Sequence, residues 1–123
     1  MAKLDQLLQQ FRGEIGADFI SADVVGMDGL SIAGGSVDPI FDSNEASARV
    51  AMVMKLAANV TTKVGMGVVD DNLVTTDRSY MLTRFLGDGS YFLNVAVTRS
   101  AILGSVRVMM SEYAPKFWEA IPR

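Results

Sequence analysis

Apolar positions recur along the chain with a period of either about 3.6 or 2, and the switches between the two mark its elements. Over residues 2 to 16, Leu4, Leu7, Leu8, Phe11 and Ile15 fall on one face, with Lys3, Gln6, Gln9, Gln10 and Glu14 elsewhere. That spacing predicts an amphipathic helix, which Gly16 closes. From Asp18 the period becomes two. Phe19, Ser21, Asp23, Val25 and Met27 share one side and Ile20, Ala22 and Val24 the other. Both sides are partly apolar, as a sheet covered by helices requires. Asp28-Gly29 supplies a tight hairpin turn, Leu30, Ile32 and Gly34 continue as a short second strand, and Gly35 to Asp42, with Pro39, reads as a loop.

Ser43 to Gly65 is the longest run free of Pro and internal Gly. Ser43 can cap a helix here, Glu45 places a carboxylate in its first turn, and Gly65 ends it. Ala46, Val50, Val53, Met54, Ala57, Val60 and Val64 form a broad stripe that is expected to seat the helix on the sheet. Arg49, Lys55, Asn59 and Lys63 occupy the opposite face, yet Met52 and Leu56 sit among them at i, i+4 spacing. Burying such a side chain is worth roughly 1.5–3 kcal/mol. Two of them on a polar face therefore point to a second surface that covers it.

A third strand is expected at Asp71 to Asp77, and it is polar in both registers, with only Leu73 and Val74 apolar. Asp77-Arg78-Ser79 turns the chain into a strand over Tyr80 to Leu86. Gly87-Asp88-Gly89-Ser90 turns it again into Tyr91, Leu93, Val95 and Val97. A last helix begins at about Arg99, with Ile102, Val106, Met109, Met110, Tyr113 and Phe117 as its stripe. Pro115 should end or kink it. Phe117, Trp118 and Ile121 then form an apolar tail segment that is expected to pack back on the domain, with a partner-docking role for Phe117 and Trp118 as the alternative. The order is α-β-β-α-β-β-β-α: one α+β domain over residues 1–123, with a five-stranded, mostly antiparallel sheet between helices.

Composition narrows the function. Half of the 123 residues are hydrophobic and a fifth are charged, enough for a stable core. There is no His and no Cys, which removes Ser-His-Asp and Cys-His nucleophiles, imidazole acid-base catalysis and Cys or His metal sites within one chain. The net charge is −3 and no two Lys or Arg residues are adjacent, so no nucleic-acid partner is expected. Val50 to Met54, the longest apolar run, is far short of the ~20 residues of a membrane span. The opening MAKLDQLLQQ lacks the features of a signal peptide, so the expected location is cytoplasmic.

Candidate chemistry is sparse. Asp70, Asp71 and Asp77 could offer oxygen ligands to a hard cation or serve a carboxylate hydrolase. Adjacent acids on a strand point to opposite faces, however, and no metal is expected. No GxxxxGK[ST] or GxGxxG run occurs, so no nucleotide phosphate is cradled. Arg49 is a possible arginine finger, set against the simpler reading of a solvated helix charge. Neither a catalytic residue nor a cofactor is expected.

Three stretches carry a resemblance: DVVGMDGLSIAG (23 to 34), VGMG (64 to 67) and LGDGSYFLNVAVTRSAILGSVR (86 to 107). With the element order and total length, they resemble the roadblock family, the dynein light chain relatives found beside Ras-like GTPases. The resemblance implies a profilin-like layered fold and a homodimer. In it the third strands pair edge to edge and the central helices lie side by side, through Met52, Leu56, Asn59, Asn72, Leu73, Val74 and Thr75. It further implies that a small Ras-like GTPase docks on the helix face at Arg49, Met52, Lys55 and Lys63, with this chain as scaffold or activator. The C-terminal YAPKFWEAIPR has no counterpart in that pattern. A small-molecule-sensing domain of similar architecture is the alternative.

Overall fold

The computed structural model describes residues 2–123. Its elements are α1 (Ala2–Ile15) with a 3-10 turn (Gly16–Asp18), β1 (Phe19–Gly26), β2 (Ser31–Ser36), α2 (Ser43–Lys63), β3 (Asp71–Thr75), β4 (Ser79–Leu86), β5 (Tyr91–Thr98) and α3 (Leu103–Ala120). The strands form one sheet in the order β2-β1-β5-β4-β3, with every neighbouring pair antiparallel. Both β2 and β3 are edges. The expected α+β architecture and element order are those observed.

Alternation sorts the side chains into two layers. On one face, Leu4, Leu7 and Phe11 of α1 and Val106, Met110, Tyr113 and Phe117 of α3 pack on Ala22, Val24, Leu82, Leu93 and Val95. The other face carries a smaller cluster in which Val50, Ala51 and Met54 of α2 meet Val25 and Phe92. Phe19 belongs to the first layer, not with Ser21, Asp23 and Val25 as strict alternation suggests. The register shifts between Phe19 and Ser21 where β1 pairs with β5, and that irregularity exchanges the faces.

Three other expectations are corrected. The cap of α2 is Asp42 and not Ser43: its Oδ1 accepts from the backbone N–H of Asn44 and Glu45, each at 3.1 Å. The carboxylate thereby satisfies two donors that lack a partner within the helix. The last helix starts at Leu103, four residues later than expected, and Ile102 at its cap is 74% exposed. It also runs through Pro115 to Ala120, so the proline does not end it. Interior proline costs about 3 kcal/mol, but Phe117 and Ile121 beyond it are buried in the main core, which offsets that cost.

Trp118 is half-buried, 6.4 Å from the ring of Tyr91, and the Arg123 guanidinium lies over it at 4.0 Å. The tail segment thus packs back on the domain as expected. Tyr113 donates from its hydroxyl to Glu14 Oε1 at 2.8 Å, which ties α3 to α1. Burial and that carboxylate push its phenol up to about 12.

Candidate interaction face

Helix α2 is seated narrowly. Only Ser47, Val50, Ala51 and Met54 are buried, little more than one side chain per turn along its first three turns. The seven-residue core stripe expected from the sequence is therefore wrong in part, because Val53, Val60 and Val64 are 45%, 49% and 62% exposed. Two of these four, Ser47 and Ala51, are small, and the larger Val53 beside them stays exposed. Met52 and Leu56, at 70% and 65%, are exposed as the sequence suggests.

These residues fall into one row. Met52, Leu56, Val60 and Val64 are spaced i, i+4, i+8, i+12, and Val53 adjoins them. The row runs on into the connection after α2, where Met66 is 77% and Val68 94% exposed. Sequence reading missed this extension; the signal was the repeated valine and methionine between glycines in VGMGV, too short for periodicity to place. Arg49 lies within this surface and pairs with Glu45 at 3.2 Å, both side chains mostly exposed. That geometry is a solvated i, i+4 pair worth a few tenths of a kcal/mol. Asn59 and Lys63 are exposed on the same helix. Lys55 lies on its other flank and lines a cleft with Ala58 and Thr62.

The edge strand β3 divides the remaining expected residues. Asn72 and Val74 stand opposite Thr83 and Met81, on the face that α2 partly covers. Leu73, opposite Leu82, packs toward the α1–α3 core, and Asp71 on that same face meets Arg107 of α3 at 3.1 Å. The ladder fixes which amides are free. Phe85 N–H donates to Asp70 O and Thr76 N–H to Ser79 O. By antiparallel alternation, Asn72 and Val74 then bond to β4, while Asp71, Leu73 and Thr75 direct their N–H groups to the open edge. Asp70, Asp71 and Asp77 do not converge: Asp71 is engaged by Arg107, Asp70 lines the cleft and Asp77 lies in the turn.

The cleft, of about 790 Å³, lies among the second half of α2, the connection at Val68 to Asp70, the β4–β5 turn and the end of α3. Phe85, Met27, Pro115 and Trp118 supply its apolar surface, and Lys55, Arg84, Asp70 and Asp88 its charges. Asp88 is held below the ordinary aspartate range by Ser90, whose backbone N–H and hydroxyl both donate to it.

The described residues thus present an apolar helix row and an open strand edge on one molecule. Its fold is the Roadblock/LC7 fold. The Roadblock/LC7 domain from Streptomyces avermitilis superposes with a TM-score of 0.80 over 91% of this chain and 92% of its own, at 22% identity. Myxococcus xanthus MglB matches with a TM-score of 0.86 over 96% of this chain and 86% of its own, at 12% identity. Acanthamoeba castellanii profilin II follows with a TM-score of 0.60 at 16% identity, over 94% of this chain and 97% of its own. No family model matches the sequence, and no curated protein matches it significantly. Among the described residues no helix is long and apolar enough to cross a membrane.

Proposed function

We propose that this chain is a non-catalytic, cytoplasmic, homodimeric module that binds and regulates a small Ras-like GTPase. The observation that carries the reading is the exposed row Met52, Leu56, Val60 and Val64 on the same molecule as the open edge of β3. Leaving four such side chains wet forgoes roughly 1.5–3 kcal/mol each for full burial. A second copy covers the row from its own α2, and the twin β3 strands join through the outward amides of Leu73 and Thr75. Asn59, Asn72 and Val74 flank that joint. Arg49, Lys55 and Lys63 remain exposed for the GTPase, with Met52, at the first end of the row, shared between the two contacts. Likeness to the Roadblock/LC7 domain and to an MglB described with a tetrameric arrangement supports an associating module.

Solution mass by light scattering tests this. The wild type is expected as a dimer at micromolar concentration, and Met52→Glu with Leu56→Glu as a folded monomer. Thr75→Pro removes an outward N–H and should weaken the dimer. Val74→Pro is the wrong probe, because that amide belongs to the β4 ladder. A monomeric wild type would sink the proposal.

A second reading, small-molecule sensing, is favoured by the 790 Å³ cleft, which is within the size range of ligand sites. Trp118 lines it and is the chain's only tryptophan, so its fluorescence reports occupancy. Screening metabolite-sized organic acids and amines without a change in emission or melting temperature would dismiss this reading.

A further inference from the structure

Beneath the first turns of α2 lies a polar seam in an otherwise apolar layer. Asp23 of β1 is 1% exposed. Its Oδ1 accepts from the Ser31 hydroxyl at 3.0 Å, whereas its Oδ2 has no partner. Two further buried groups on the α2 side are also unpartnered, the hydroxyls of Ser21 on the same strand and Ser47 on the helix. Beside Asp23 on β5 is Asn94, whose side-chain oxygen is already taken by Thr83 at 2.9 Å. On the β2 side stands Gly34, where any Cβ would lie 2.7 Å from Asp23 Oδ1 and 2.6 Å from Asp23 Cα. The backbone therefore closes on the carboxyl group, and the cleft described above does not reach it.

An ionised carboxylate sealed in this way leaves an acceptor unpaired, a penalty of about 1–3 kcal/mol or more. A neutral acid avoids most of that penalty, because taking an uncharged group out of water costs far less than taking an ion. We propose that Asp23 is a proton-operated latch for α2, closed when the acid is neutral and loosened when it ionises, so that protonation governs how firmly the helix presents its exposed row. The groups facing it are Ser31 of β2, Asn94 of β5, Ser43 and Ser47 of α2 and Ser21 of β1, and no charged side chain contributes to its titration. Burial raises the acid above its usual range, and the bonded Ser31 hydroxyl, with Ser43 nearby, opposes that only in part. The sign follows. The folded state binds this proton more tightly than the unfolded chain, so stability is greatest below the ordinary aspartate value and falls as pH rises through the raised one. The narrow seat of α2 puts the loss there first.

As regulation of the partner face, the latch rests on the dimer reading, but its test does not. Carbon-13 NMR of the aspartate carboxyls and amide hydrogen exchange across α2 are recorded on the full chain between pH 4 and 8, with solution mass in parallel. The Asp23 carboxyl is expected to titrate above the ordinary aspartate range. Across that midpoint, protection factors over residues 47–54 should fall about tenfold for each unit of pKa elevation. In Asp23→Asn, which is neutral at every pH, they should stay within about twofold. An Asp23 midpoint at or below the ordinary range, or α2 protection equal on both sides of it, would overturn the proposal. A chain that is monomeric throughout while its α2 protection titrates refutes the dimer and leaves the latch standing.

Discussion

Gly87→Ala is expected to detach the end of α3. Gly87 opens the β4–β5 turn at φ +54, and a Cβ built there would overlap Cδ2 and Cε2 of Trp118. Two costs add. An L-residue in the left-handed region costs about 1–2 kcal/mol. Displacing the indole from the turn forfeits part of its packing, about 1–3 kcal/mol for an aromatic of which half is covered. Gly89→Ala separates the two, because Gly89 is also left-handed at φ +88 but its Cβ would meet only Phe85 Cδ1, at 3.9 Å. Urea unfolding followed by Trp118 fluorescence should place Gly87→Ala about 3 kcal/mol below wild type and Gly89→Ala about 1–2 kcal/mol below. At roughly 4 °C per kcal/mol for a chain of this length, the first melts about 12 °C early. The native emission of Gly87→Ala should shift to the red as the ring meets water. Equal losses for the two variants, with unshifted emission, would show that the ring does not rest on Gly87 and that the end of α3 is anchored by Phe117 and Ile121.

Two further outcomes are expected. Tyr113→Phe deletes the bond to Glu14 and should cost about 0.5–1.5 kcal/mol at pH 7 by urea unfolding. Because the wild-type phenol is raised to about 12, the wild type should lose stability as pH rises above about 10, the ordinary tyrosine value; a variant with the same alkaline slope would remove Tyr113 as its source. Asp42→Ala should lower stability by about 1 kcal/mol, with hydrogen exchange quickened in the first turn of α2, whereas Ser43→Ala should cost less at the cap itself. Equal effects would return the capping role to Ser43.

Much of this was legible in the sequence because strong periodicity belongs to elements with one clear dry side. The Leu4, Leu7, Leu8 and Phe11 stripe of α1 and the Tyr91, Leu93, Val95 and Val97 alternation of β5 face a deep core, and their pattern has one solution. Helix α2 faces a thin layer. Its seat uses Ser47 and Ala51, which hydropathy does not distinguish from surface, and its valines lie exposed. Valine at 53, 60 and 64 therefore reads as core in sequence and surface in structure. The candidate face was visible through Met52 and Leu56 and underestimated beyond them. Asp23 was visible only as an acid in a strand, since its close approach to Gly34 depends on the pairing of β1 with β2. Amide direction on β3 was not legible at all, because it depends on the register with β4.

The two sheet edges differ in what they permit. Strand β3 presents its outward amides at Asp71, Leu73 and Thr75, whereas β2 carries a register irregularity opposite Val24 and Val25 and has Gly34 at φ +131 pressed onto Asp23. A bent, glycine-bearing edge offers a poor template for a further strand. Two copies joined through β3 would thus form a ten-stranded sheet whose outer margins are both β2, and growth would stop there. A chain with two receptive edges would instead propagate into a fibre; in an assembly joined through β3, the geometry of the opposite edge would hold the copy number at two.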